Sequence, residues 1–169
     1  MAAVKNRRHA PGERFAMLPV EVLDSDAFRW LPNFAVRVLV ALAARYFGIN
    51  NGGLELTVKE AERFGIKRTE LYAGLKLLAF ACLIRKTVEE RKSSGKGVPA
   101  KYALSWRPTD EFPAYNILAN ERPANTWAKF RGDARAIRSL SDAERFLGWR
   151  STHPISIEAS VTSQTKKGP

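Results

Sequence analysis

The sequence predicts a mostly α-helical fold carrying one small antiparallel β-hairpin, and three observations predict it. A stretch that is apolar on nearly every side runs from Phe34 to Phe47. A capping signal, a glycine stop and a leucine stripe follow one another between Thr57 and Cys82. Two strand-like segments, Leu83–Val88 and Lys101–Trp106, then flank a polar, basic link.

Taken in order, Met1 to Arg14 has no periodicity and reads as a flexible basic arm. Leu18, Val20, Val22 and Leu23 predict a short helix or turn, with Pro19 near its start. The helix from Phe34 to Phe47 is interrupted by Arg37 and Arg45, and a helix apolar all round belongs at the centre of a core. Asn50-Asn51-Gly52-Gly53 marks a turn, because Asn and Gly tolerate positive φ. Leu54-Glu55-Leu56 alternates like a short strand. Thr57-Val58-Lys59-Glu60 is a capping box, in which hydroxyl and carboxylate satisfy the free N–H groups of a helix start. Val58, Ala61 and Phe64 give that helix its inner face, and Gly65 closes it. Leu71, Leu75, Leu78 and Cys82 recur at helical spacing and predict a helix from Arg68 to Ala81. Thr69, Ala73 and Lys76 then face away from the leucine stripe, Tyr72 lies on its flank, and Phe80 points outward onto some other part of the protein.

In the hairpin, Tyr102, Leu104 and Trp106 are expected inward and Lys101, Ala103 and Ser105 outward. The link Glu89–Ala100 is a basic loop. Beyond Trp106, prolines at 108, 113 and 123 break the pattern. Trp127 and Phe130 suggest a helical turn near Asn125, and Ser141-Asp142-Ala143-Glu144 is expected to cap a short helix that includes Phe146, Leu147 and Trp149. The tail from Ser151 to Pro169, rich in Ser, Thr and Lys, is expected to be disordered. The predicted organisation is a basic arm (1–14), a main domain (15–106), an irregular and helical C-terminal extension (107–150) and a tail (151–169).

The chain has 169 residues, a net charge of +11 and a single cysteine. The longest fully apolar run, Val38–Ala44, is too short for a membrane span, so a soluble, cytoplasmic protein is expected. The charge favours a polyanionic partner, since each neutralised phosphate releases a counterion. It is concentrated in the head and in residues 67–106, where nine Lys and Arg stand against three Glu. Catalysis has little support. His9 and His153 fall in segments expected to be flexible, the paired acids suit helix capping and solubility, and no glycine loop cradles phosphate. No cofactor or metal is expected, and the chain is read as a non-enzyme.

Helix, short strand, helix, tight turn, helix and basic hairpin is the order of a winged helix-turn-helix. A helix presented on a three-helix core fits a major groove about 12 Å wide. On that logic Lys67, Arg68, Thr69, Tyr72 and Lys76 are the candidates for groove contact. Lys86, Arg91, Lys92, Lys96 and Lys101 in the hairpin are candidates for phosphates, and Lys5, Arg7 and Arg8 for a minor-groove arm. Residues Phe15 to Trp106 also resemble the winged-helix domains of phage and plasmid replication or transcription-control proteins. The stretches that carry this are Asn50 to Thr57, Phe64-Gly65-Ile66, Leu83-Ile84 and Tyr102 to Trp106. The resemblance implies sequence-specific binding of double-stranded DNA, with the helix starting near Arg68 as reader and a nucleoid-associated location.

Two positions depart from that pattern. Lys67 stands where Ser or Asn is usual, so the N-cap is expected to be weaker by about 1 kcal/mol. Cys82 stands where Gly is usual, so the turn is expected to be rebuilt.

A competing reading makes the domain a protein-docking module that uses Phe112, Tyr115, Trp127, Phe130 and Trp149 as its surface. RNA binding ranks lower, because no stacking aromatics cluster beside the basic block. A homodimer through the C-terminal extension is the remaining expectation.

Overall fold

The computed structural model describes residues 15–91, 97–131 and 137–152. The fold is α-helical with one two-stranded antiparallel hairpin. Helix α1 (Val20–Leu23) starts after Pro19, as expected. A second short helix, α2 (Asp26–Arg29), escaped the sequence reading; its signal is Ser25, whose hydroxyl accepts the Phe28 N–H at 3.2 Å. Helix α3 (Asn33–Ala43) is the central element and buries Phe34, Ala35, Val38, Leu39, Ala41, Leu42 and Ala43. It ends before the predicted Phe47 because the Asn50 side chain captures the chain there. Asn50 Oδ1 accepts the Phe47 N–H at 2.9 Å, and Nδ2 donates to the Arg45 carbonyl at 2.9 Å.

The turn after α3 is organised by Asn51, which is fully buried. Its Oδ1 accepts the Leu104 N–H at 2.6 Å. Its Nδ2 donates to the carbonyls of Leu104, Arg107 and Pro108 at 3.0, 3.2 and 2.7 Å. Its backbone N–H donates to Asp110 Oδ2 at 2.7 Å, and its carbonyl accepts the Asp110 N–H at 2.7 Å. Gly52 follows at φ +112, which a side chain would strain. The expected strand at 54–56 is reduced to one bridge, Leu54 with Tyr102.

Helix α4 (Val58–Arg63) begins with the predicted capping box of Thr57 and Glu60; Ala61 is buried as expected, but Phe64, expected on the inner face, is exposed. Gly65, at φ +65, closes it in a Schellman motif, with the Ile66 N–H on the Ala61 carbonyl and the Gly65 N–H on the Glu62 carbonyl. Helix α5 (Arg68–Phe80) ends in the same motif, with Cys82 in glycine's place at φ 58. The turn is therefore not rebuilt; a cysteine adopts the left-handed conformation, at a cost of about 1 kcal/mol. The leucine stripe is buried, and Gly74 allows α5 to approach α3 closely, since an added Cβ would lie 2.8 Å from Val38. Ala73 corrects the prediction: it is buried, not outward. It heads the row Ala73, Leu77, Phe80, and α5 packs against α6 as well as α3, so more of its circumference is covered than one stripe.

Strands β1 (Ile84–Val88) and β2 (Lys101–Leu104) pair antiparallel, Ile84 opposite Leu104 and Lys86 opposite Tyr102. Here too the expectation of alternate burial fails, because Lys101 to Trp106 are all buried. The extension covers the second face. Arg85 donates to the Thr109 hydroxyl at 3.2 Å, and the Asn125 N–H donates to the Ser105 carbonyl at 2.8 Å. The Phe112 ring lies against Gly53, where a Cβ would come within 2.7 Å.

Helix α6 (Leu140–Thr152) is capped by Ser139 with Asp142, two residues before the predicted cap at Ser141. Its Phe146 joins Trp30, Phe80 and Phe130 in a ring cluster with centroids 5.1–5.8 Å apart, so Phe80 does rest on another part of the chain. Among the described residues no helix is long and apolar enough to cross a membrane.

Candidate nucleic-acid interface

Helix α5 shows solvent one stripe: Arg68, Thr69, Tyr72, Lys76 and Ala79, at the spacing of one helical face. The Arg68 guanidinium lies 5.8 Å from the Tyr72 ring centroid, and Tyr72 is 42% exposed. Lys67 precedes the helix in an extended conformation. A lysine side chain cannot accept the N3 N–H, so half of a capping box is missing; the other half stands, with Glu70 Oε2 accepting the Lys67 N–H at 2.9 Å. That bond holds a carboxylate at the helix start and leaves the lysine ammonium outside it.

Between this stripe and the hairpin lies a groove of about 480 Å³. Tyr72 and Lys76 form one wall, Lys86, Glu90 and Ala100 the other, and Leu56, Leu71, Leu75 and Tyr102 the floor. Burial first, then the charges of Glu89 and Glu90, push the Tyr102 hydroxyl up to about 12, so it stays protonated. Lys86 is exposed and pairs with Glu89 at 2.9 Å. Such an open pair is worth about 0–1 kcal/mol. Arg91 is exposed at the root of the loop, where its backbone bridges Val98. Lys92 and Lys96, like Lys5, Arg7 and Arg8, lie outside the described residues.

Lys101 is a correction. It is 8% exposed, its Nζ lies 2.9 Å from Glu55 Oε2, and it sits 4.8 Å from the Tyr115 ring centroid. It is therefore occupied within the protein and has no free charge for phosphate. The cause is twofold: the segment bridged to β2 through Leu54 and Tyr102 brings Glu55 to its ammonium, and Tyr115 of the extension lies against it.

Two arginines were visible in the sequence only as interruptions of an apolar helix, and both brace α4 and the turn after it against α3. Arg37 donates to the carbonyls of Phe64 and Gly65, and Arg45 pairs with Glu60 at 2.8 Å. Burial raises the Glu60 carboxyl, but the Thr57 N–H and hydroxyl, Arg45 and Arg63 outweigh it and hold it below its ordinary value. Burial pushes the half-buried Cys82 thiol up, which disfavours a reactive thiolate. Among the described residues no three His, Cys, Asp or Glu side chains gather as a metal site.

Of the aromatic residues expected to form a docking surface, Phe112, Trp127 and Phe130 are partly buried, the last two against the core, and Tyr115 lies beside Lys101. No family model, no curated protein and no solved structure matches this chain.

Proposed function

We propose that this chain is a winged helix-turn-helix protein that binds double-stranded DNA sequence-specifically, as a transcription regulator or a replication accessory factor. The observation that carries the reading is the uncovered stripe of α5, with Arg68, Thr69, Tyr72 and Lys76 exposed beside a groove whose other wall is the hairpin. The extension covers the second hairpin face and the far end of α5 while this stripe stays open. Thr69 and Tyr72 suit hydrogen bonds and methyl contacts at base edges, and Arg68 suits bidentate contact with guanine. Lys67, Lys76, Lys86 and Arg91 suit phosphates and set the register. Glu90 in the groove wall repels a backbone that approaches too closely and narrows the poses the site accepts. The protein-docking alternative has less support, because Phe112, Trp127 and Phe130 spend much of their apolar surface inside the chain.

The test is binding of random and selected duplexes across a salt titration. Phosphate-driven association predicts a linear fall of log affinity with log salt, by about 0.9 for each phosphate neutralised. Affinity for duplex that is flat with salt would sink the proposal.

A further inference from the structure

Two neighbours on β1 divide their charge between the two faces of the hairpin. Side chains alternate along a strand, so Arg85 and Lys86 point to opposite sides. Lys86 stands in the wall of the groove beside α5, whereas the Arg85 guanidinium reaches the extension and donates to the Thr109 hydroxyl at 3.2 Å. Arg85 is exposed and, among the described residues, has no carboxylate partner.

A second groove, of about 300 Å³, opens there between the hairpin and the extension. Its polar lining is Arg85, Lys86, Arg107, Ser105, Thr109 and Thr126, without a carboxylate or a side-chain amide. The groove beside α5 differs in having Glu90 in its wall. Acceptors at the second groove are already engaged: the Cys82 and Leu83 carbonyls accept from the Ser105 hydroxyl at 2.6 and 2.7 Å, and Cys82 also accepts from Thr126 at 3.2 Å. Donors are in surplus. A guanidinium carries five N–H groups, and Arg85 spends one on Thr109. The Arg107 Nε is buried with no acceptor among the described residues. Lys86 and Arg107 are partly committed elsewhere, to Glu89 and to Met17 with the Tyr46 ring, which makes Arg85 the principal free charge of the groove.

We infer that this second groove holds a phosphate group, supplied by a backbone phosphodiester of the duplex beyond the bases that α5 reads. A phosphate brings negative charge and acceptor oxygens only, which is what a lining of spare donors and no carboxylate takes, and a guanidinium meets two of its oxygens at once. The two grooves adjoin, because Ala79 and Lys86 line both. From Arg68 to Ala79 the exposed stripe of α5 runs about 16 Å, so a backbone that follows it arrives at the second groove past the reading site. The source of the phosphate rests on the DNA-binding reading; the preference of the groove for an anion does not. Thr109 and Thr126 belong to the extension, which on this account makes a binding site as well as covering β2.

Salt-titrated duplex binding by the full chain tests the source. Arg85→Gln keeps a donor for Thr109 and loses the charge, and it should weaken binding three- to tenfold and lower the salt slope by about 1. Thr126→Glu puts a carboxylate in the groove and should weaken binding at least tenfold. Leu118→Glu adds the same charge at an exposed extension residue outside the groove and should weaken it less than threefold. Inorganic phosphate without DNA tests the groove itself: in the wild-type chain the amide resonances of Arg85, Thr109 and Thr126 should shift at millimolar phosphate, and in Arg85→Gln they should not. Duplex binding with an unchanged slope in Arg85→Gln, or equal weakening by Thr126→Glu and Leu118→Glu, overturns the second site, while Lys76→Ala still tests the reading stripe by itself. A chain that binds no duplex yet shows localised phosphate shifts overturns the duplex as the source and supports the groove as a phosphate site. Phosphate shifts spread evenly over the basic surface overturn the groove.

Discussion

The exposed stripe of α5 and the second face of β2 begin alike. Each has basic or small polar residues, Thr69 and Lys76 in one and Lys101 and Ser105 in the other, at the periodic positions that point away from the leucine and tyrosine side. Local chemistry therefore treats both as solvent faces. They end differently because residues 105–126 fold back over one of them: Thr109 meets Arg85, Tyr115 meets Lys101, and Asn125 meets Ser105. Periodicity reports which way a side chain points, and only contacts distant in sequence decide whether water or protein is waiting there.

The largest effect should come from the residue that holds the covering segment down. Asn51→Leu removes the donor to three carbonyls and the acceptor for the Leu104 N–H at a fully buried site. Each buried group left unmet costs about 1–3 kcal/mol, so we expect a loss of about 3–5 kcal/mol in urea unfolding. Exposure of the second β2 face should follow, read as earlier hydrogen exchange at Lys101 to Ser105 than in α3. A loss below about 1 kcal/mol would show that the extension does not depend on Asn51.

The next contrast is between the two faces themselves. Arg68→Ala and Lys76→Ala should each weaken duplex binding by roughly tenfold and lower the salt slope by about 1, with little change in stability. Lys101→Met should do the reverse: it leaves Glu55 without its partner and loosens the fold by about 1 kcal/mol while leaving the salt slope unchanged. If Lys101→Met reduces the slope as much as Lys76→Ala does, the covered face is not closed in solution.

Cys82 sharpens the comparison at the junction between α5 and the hairpin. At φ 58 a glycine carries no Cβ penalty, so Cys82→Gly should gain up to about 1 kcal/mol in stability, less what the half-buried thiol contributes. Its carbonyl accepts from Ser105 at 2.6 Å and from Thr126 at 3.2 Å, bonds that the substitution keeps. Duplex affinity should not move, because the α5 stripe is untouched. A clear destabilisation would mean that the thiol, rather than the backbone, decides the residue at this position.

What was legible in the sequence follows the same division. Thr57 with Glu60, Gly65 and the leucine stripe set α4, the turn and α5, because caps and periodicity act within a few residues. The two hairpin strands were placed to within two residues, whereas Leu54–Leu56, which alternates in the same way, forms a single bridge. Asn51 looked like a turn residue, since nothing local reveals that its side chain serves Leu104, Arg107 and Pro108. Lys101 looked like a phosphate ligand for the same reason, with its partner 46 residues away in Glu55. Helix α2 was missed because four residues carry too little periodicity to detect.

The smallest effect lies at the brace between α3 and α4. The Glu60 carboxyl is held below its ordinary value of 4.5 once the Thr57 bonds, Arg45 and Arg63 outweigh burial. A carboxylate whose folded value is depressed contributes stability above its unfolded value and loses it as pH falls through the folded one. Stability should therefore decline as pH drops below about 4.5, by a few tenths of a kcal/mol from this group, since the pair with Arg45 is substantially open to solvent. Glu60→Gln should flatten that part of the pH profile while lowering stability at neutral pH, with the capping box keeping a neutral acceptor for the Thr57 N–H. If thermal melts of Glu60→Gln follow the wild-type pH profile below 4.5, the brace acts through shape and hydrogen bonding alone, and its charge contributes nothing to holding α4 against α3.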